Sequence, residues 1–214
     1  MPPSLTKNDG RRESCFGRAA PYTDPMCGQF LALKAWRDFL SSLGMTDAGV
    51  AEGLNDVVKP TDAYPIVTAG PRLMNARWGL IPGWAKETPK ASTFNVRIET
   101  AAEKPTFRDA FARRHALVPV AGFYEWHQGR RHRIARRDGE PLVLAGLWEG
   151  DSFTILTRPA RAQMAALHDR EPVMIGRRQW QGWLDNTVFD PAPPPDDLFD
   201  IVDDDTAPVQ DTLF

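Results

Sequence analysis

Cysteine is scarce: the 214 residues hold two, Cys15 and Cys27. Two thiols cannot build a disulfide framework, so a reducing cytoplasm is the expected location. Long apolar runs are missing too; nothing approaches the ~18 residues that a membrane-crossing helix needs. The opening MPPSLTKNDGRRESC has no apolar stretch of the kind a secretory signal carries. His115, His127, His132 and His168 show no metal-ligand spacing with the two cysteines. No metal, cofactor or membrane partner is expected. The chain also lacks the dinucleotide fingerprint G-x-G-x-x-G, a P-loop, a CxxC pair and any internal repeat.

What is present suits a globular domain, with 42% apolar and 25% charged residues. The net charge of −2 hides an asymmetry. Asp190–Phe214 carries eight Asp and no Lys or Arg, while residues 26–189 hold 22 basic against 17 acidic groups. A basic body with an acidic tail suits a polyanion-binding surface, and equally a plain solvated one. Residues 1–25, rich in Pro, Gly, Ser and charge, read as a disordered or non-native leader. DPAPPPDDL at 190–198 reads as a linker. The expected folded domain is therefore 26–189, and 190–214 an acidic, proline-rich flexible tail.

Within the domain, Leu33, Trp36, Leu40 and Leu43 are spaced for a helix over Leu31–Gly44. RLMNARWGLIPGW (72–84) predicts a strand entering a Gly/Pro turn, and TFRDAFARR (106–114) a short basic helix. HALVPVAGFYEWHQ (115–128) predicts a strand. RRHRIARR and PLVLAGLWE, with Asp138-Gly139 between them, predict a hairpin. DSFTILTRPA follows as a strand, ARAQMAALH (160–168) as a helix, REPVMI as extended chain, and RRQWQGWL as a closing helix. Strands interleaved with a few short helices argue for α+β, with a mixed or antiparallel, barrel-like sheet.

Four residues carry chemical potential: Cys27, Asn95 in FNVRIET, Glu125 in GFYEWH and His168 in ALHDREP. Singly, each has a plain structural role. A lone Cys is usually a small hydrophobe, Asn a turn residue, Glu half of an ion pair, His a helix cap. Together, a thiol, a carboxyl in an apolar strand and an imidazole are the parts of a covalent-catalysis site.

MCGQF, WGLIPGW, FNVRIET, GFYEWH, AGLWE, FTILTRPA and LHDREP stand in the order found in the SOS response-associated peptidase (SRAP) family. The chain resembles that family from Met26 to Leu184. The resemblance implies a compact α+β fold with a barrel-like core and flanking short helices. It also implies binding to single-stranded DNA in the DNA damage response, and covalent capture of abasic sites by an N-terminal Cys once the initiator Met is gone. The chemistry explains the position. An α-amine condenses with the open sugar's aldehyde to a Schiff base, and the thiol on the neighbouring carbon closes a five-membered thiazolidine. An internal Cys has an amide nitrogen and cannot form this ring.

By the same resemblance, Cys27 supplies amine and thiol, Glu125 moves protons and His168 assists sugar ring opening. Asn95 orients the Cys and the sugar. Arg97 and Arg77 are phosphate candidates, and Trp78 and Trp84 offer faces for base stacking, or else are ordinary core aromatics. Arg pairs at 113–114, 130–131, 136–137 and 177–178 are weaker groove candidates. Family sequences usually have Arg at Gln29, Ala at Val96 and Met at Glu171, and NDVVKPTDAYPIV replaces a stretch like PRYNVAP. The terminal QDTLF looks like a sliding-clamp-binding pentapeptide, with Gln210, Leu213 and Phe214 as contacts. A monomer near the nucleoid is expected. The alternatives are a cysteine-type peptidase, its natural substrate the chain's own Met26–Cys27 bond, or a non-catalytic single-stranded nucleic-acid-binding module. Thiol autopeptidase and lyase-type chemistry belong to what the resemblance implies.

Overall fold

A computed structural model describes residues 28–46, 54–89 and 92–204. Its elements in chain order are β1 (Gln29–Ala32), α1 (Trp36–Ser42), β2 (Val57–Val58), β3 (Ala63–Thr68), β4 (Arg72–Trp78) and β5 (Asn95–Arg97). Next come α2 (Ile98–Ala101), α3 (Arg108–Arg113), β6 (His115–His127), β7 (Arg130–Arg136), β8 (Leu142–Glu149) and β9 (Ser152–Pro159). A 3-10 turn at Ala162–Ala166, β10 (Arg170–Pro172), α4 (Trp180–Leu184) and β11 (Phe199–Asp203) complete the described chain.

The expected α+β class holds, and the pairings show how the sheet closes. β9 pairs parallel with β4, β4 antiparallel with β3, and β3 with β6. β6 then pairs with β8, and β8 returns to β9. These five strands form a closed, mixed ring, which removes exposed edges. By register, Ile66, Trp78, Phe153 and Ile155 share one face of this ring and Val67, Leu117 and Leu147 the other, and all are 0% exposed, so both faces are packed.

Three local expectations fall differently. Leu31 and Ala32 belong to β1, because Phe30 packs edge-on to Tyr64 at 4.8 Å and draws the segment into the sheet. The helix is only Trp36–Ser42, and Gly44 at φ +71° follows it. The hairpin joins β6 to β7, not β7 to β8. Its turn is Gln128-Gly129, both at positive φ (+52° and +77°), which matches strand twist better than the Asp138-Gly139 turn. Third, the tail is not all flexible. Phe199–Asp203 forms β11, in register with β7 from Arg136 to His132. Buried Phe199 and the ion pairs Arg130–Asp203, Arg131–Asp204 and Arg137–Asp200 hold it there.

Candidate active site

Side chains alternate along a strand, so β6 sends Phe123, Glu125 and His127 to one face and Tyr124 and Trp126 to the other. Phe123 is core, and Glu125 is buried with it at 2% exposure. Beside it runs β1, whose Gln29 pairs with Tyr124; Gly28 precedes it and is buried. Cys27 lies outside the described residues, as do Gln210, Leu213 and Phe214.

The His168 loop is tied to the same strand. His127 Nδ1 is 3.0 Å from the carbonyl oxygen of Leu167, so the residue before His168 meets the second residue after Glu125. His168 is 13% exposed in its side chain. The Arg170 backbone N–H donates to His168 Nδ1 at 3.0 Å, which puts the neutral ring's hydrogen on Nε2. Asp169 Oδ1 lies 2.8 Å from the same Nδ1, ready to accept its hydrogen when the ring is protonated.

Asn95 opens β5, which is laid parallel on β9 through Asn95–Ile155 and Arg97–Thr157. The turn before it is fixed by Trp78, whose Nε1–H donates to the Phe94 carbonyl at 2.8 Å. Arg170 clasps this side to the His168 loop. Its guanidinium donates to both Glu99 oxygens, at 2.6 and 2.9 Å, and to the Thr157 carbonyl at 2.7 Å. That bond from Arg170 holds the Glu99 carboxyl below its usual range. The topology thus gathers Glu125 and His168 at one end of β6, with Asn95 on the β5 side that Arg170 ties to the same loop. None of the three is without a partner.

The DNA candidates divide. Trp84 is 64% exposed, and Arg97 is exposed as well. Trp78 is corrected to a core residue: it is 0% exposed, tilted against Phe30 and stacked on Phe153, with no face left for a base. Half-buried Arg77 folds back, donating from Nη1 to the Gly79 carbonyl at 3.0 Å. Of the departures from family pattern, Glu171 is the most visible: it is 1% exposed and held by Arg161 through Nε at 2.9 Å and the backbone N–H at 3.2 Å.

A groove of about 590 Å³ opens between α1, the β7–β8 turn and α4. None of Asn95, Glu125 and His168 lines it, so the chemistry is not assigned there. Among the described residues no cluster of His, Cys, Asp and Glu could hold a metal, and no helix is long and apolar enough to cross a membrane. Arg170, Glu99 and His127 were missed by reading the sequence. Arg170 stands inside the quoted LHDREP, but its clasp joins residues 71 apart and leaves no local trace.

This barrel, with a buried strand carboxyl and a histidine loop docked on the same strand, defines a domain class, and the comparisons name it. Residues 26–209 match the family described as SOS response associated peptidase (SRAP), and the chain belongs to that family. It is 30% identical over 187 residues to the abasic site processing protein YoqW of Bacillus subtilis (strain 168), covering 78% of this chain and 83% of that one. It is 27% identical over 187 residues to the abasic site processing protein YedK of Escherichia coli (strain K12), covering 74% and 79%. A crystal structure of a Bordetella bronchiseptica protein superposes with TM-score 0.70 at 25% identity, covering 83% of this chain and 99% of that one.

Proposed function

We propose that the chain, with Cys27 exposed as its N-terminus, captures the ring-opened aldehyde of an abasic site in single-stranded DNA as a thiazolidine. The observation that carries this reading is the position of Glu125. It is a carboxyl buried to 2%, one residue along β6 from the Tyr124 that pairs with Gln29. Covalent geometry ties the Cys27 Cα to within ~3.8 Å of that of Gly28, which leads into this pair. Relatives named as abasic site processing proteins supply the substrate class.

The α-amine, with an ordinary pKa of ~7.7–8.0, is partly neutral near pH 7 and adds to the aldehyde carbon. The carbinolamine takes a proton from Glu125 on its oxygen, and water leaves as the nitrogen lone pair forms the C=N bond. The Cys27 sulfur then adds to that carbon. Its proton passes to solvent, the ring nitrogen keeps the one hydrogen left from the amine, and the ring is closed. His168, through Nε2, assists opening of the sugar, and Asn95 orients the reacting groups. Arg97 holds a flanking phosphate and Trp84 stacks a base. Such contacts weaken as salt rises.

The test compares the full chain with a chain begun at Met26, whose Met is removed to expose Cys27. Each is incubated with a single-stranded oligonucleotide bearing one abasic site and run on a denaturing gel. A retarded band from the shorter form, absent in Cys27→Ala, is expected. An equal band from Cys27→Ala overturns the reading. DNA binding with no band favours the plain binding module, and turnover of unrelated peptides the peptidase. Deleting residues 210–214 tests clamp docking, which unchanged clamp affinity refutes.

A further inference from the structure

We infer that His132 and Asp203 form a proton conduit between solvent and Glu125. This rests on the reading that Glu125 moves protons during Schiff-base formation.

The register of three strands carries it. Glu125 of β6 pairs with His132 of β7, and His132 pairs with Asp203 of β11. Directly opposed residues share a face of the sheet, with Cβ atoms roughly 4.5–5.5 Å apart. The neighbouring row on that face is Phe123–Ile134–Ile201, so the ionisable row sits at the rim of the core. Exposure rises along it: 2% for Glu125, 15% for the His132 side chain and 40% for that of Asp203. The three groups therefore run from a sealed carboxyl to open water.

The bonds give the row a direction. His132 Nδ1 lies 2.9 Å from Asp203 Oδ1, and Arg130 Nη2 holds Asp203 Oδ2 at 2.7 Å. With Nδ1 committed to Asp203, Nε2 is the nitrogen left to serve the Glu125 end. The His127 ring, 6.4 Å from His132, is the other titratable group on this face of β6. Asp204 and Arg131 pair with each other, and the Arg131 guanidinium lies 4.1 Å from the centre of the Tyr124 ring, on the opposite face.

A carboxyl that gives its proton to departing water must regain one, and burial cuts Glu125 off from bulk water. Nε2 hands its proton to the Glu125 carboxylate while Nδ1 takes one from Asp203 Oδ1, leaving the ring as its other tautomer, and solvent reprotonates Asp203. The ring finishes with as many protons as it began. His132 and Asp203 act through Glu125, as positioning residues, and the acidic strand β11 becomes part of the machinery.

The experiment measures crosslinking rate in the form with Cys27 at its N-terminus, for wild type, His132→Gln, Asp203→Asn and Glu125→Gln. His132→Gln keeps a hydrogen bond to Asp203 but cannot relay a proton. Both conduit variants should slow by about tenfold, less than the roughly 10²–10⁴-fold of a lost general acid. Added imidazole at fixed pH should restore His132→Gln and leave Glu125→Gln slow. Wild-type rates in both conduit variants, or a slow His132→Gln that ignores imidazole, overturn the conduit alone. No covalent product from wild type sinks the functional reading and the conduit with it.

Discussion

Two carboxylates lie almost equally deep in this barrel, and they differ in their neighbours. Glu171 is 1% exposed and receives Arg161 through its guanidinium and its backbone N–H. Glu125 is 2% exposed and stands opposite His132. Arg161 thus gives Glu171 a fixed, charge-assisted partner. In the proposed conduit, the imidazole opposite Glu125 is instead a group that can hand on a proton. Burial alone does not separate the two carboxyls; the neighbouring side chain does.

The sharpest break of that comparison is exchange of the carboxyls for amides. Glu125→Gln should lower the crosslinking rate by about 10²–10⁴-fold with little change in melting temperature. A normal rate would remove Glu125 from the chemistry. Glu171→Gln should leave the rate per folded molecule unchanged. Conversely, Arg161→Ala strands a buried anion and should cost about 3 kcal/mol of stability, the low end for a broken buried pair. Chemical denaturation measures it, and an unchanged midpoint would show that Glu171 needs no cation.

The two tryptophans offer a parallel test. Trp78→Ala should destabilise the fold by about 3–5 kcal/mol, as for a large aromatic lost from a core. Trp84→Ala should leave folding alone and weaken single-stranded DNA binding by about 1–3 kcal/mol in a titration. If Trp84→Ala binds as wild type, the stacking role is wrong.

The smallest effect is a pH dependence. The bond from Arg170 lowers the Glu99 pKa from its ordinary value of 4.5. A depressed folded value means stability that is full above 4.5 and fades as pH falls through the folded value. Thermal melts of wild type and Glu99→Gln should therefore differ at neutral pH and converge in acid. A gap that persists in strong acid would mean packing, not charge, is involved. The group is partly exposed, so the gap should be modest.

The motif order already contained most of the proposed reacting set: Asn95, Glu125 and His168 each sit in a short motif. The sheet class was legible too, because strand periodicity is a local property of β-branched and aromatic residues. The barrel's closure, the β6–β7 hairpin and the strand at Phe199–Asp203 were not. His132 was weighed only as a metal ligand. Its link to Glu125 follows once the turn is placed at Gln128-Gly129, and its link to Asp203 spans 71 residues.

By itself, then, the sequence determined which groups are available for chemistry and the alternation that aims each toward one face or the other. Those follow from covalent order and backbone geometry within a few residues. Tertiary structure decided that Trp78 is sealed and Trp84 open, that Glu171 meets a guanidinium while Glu125 stands opposite His132 in register, and that an acidic tail segment becomes a strand. Each depends on register between distant segments. Register is set by the burial of side chains such as Phe30, Phe199 and Ile134, a collective outcome that no local stretch encodes.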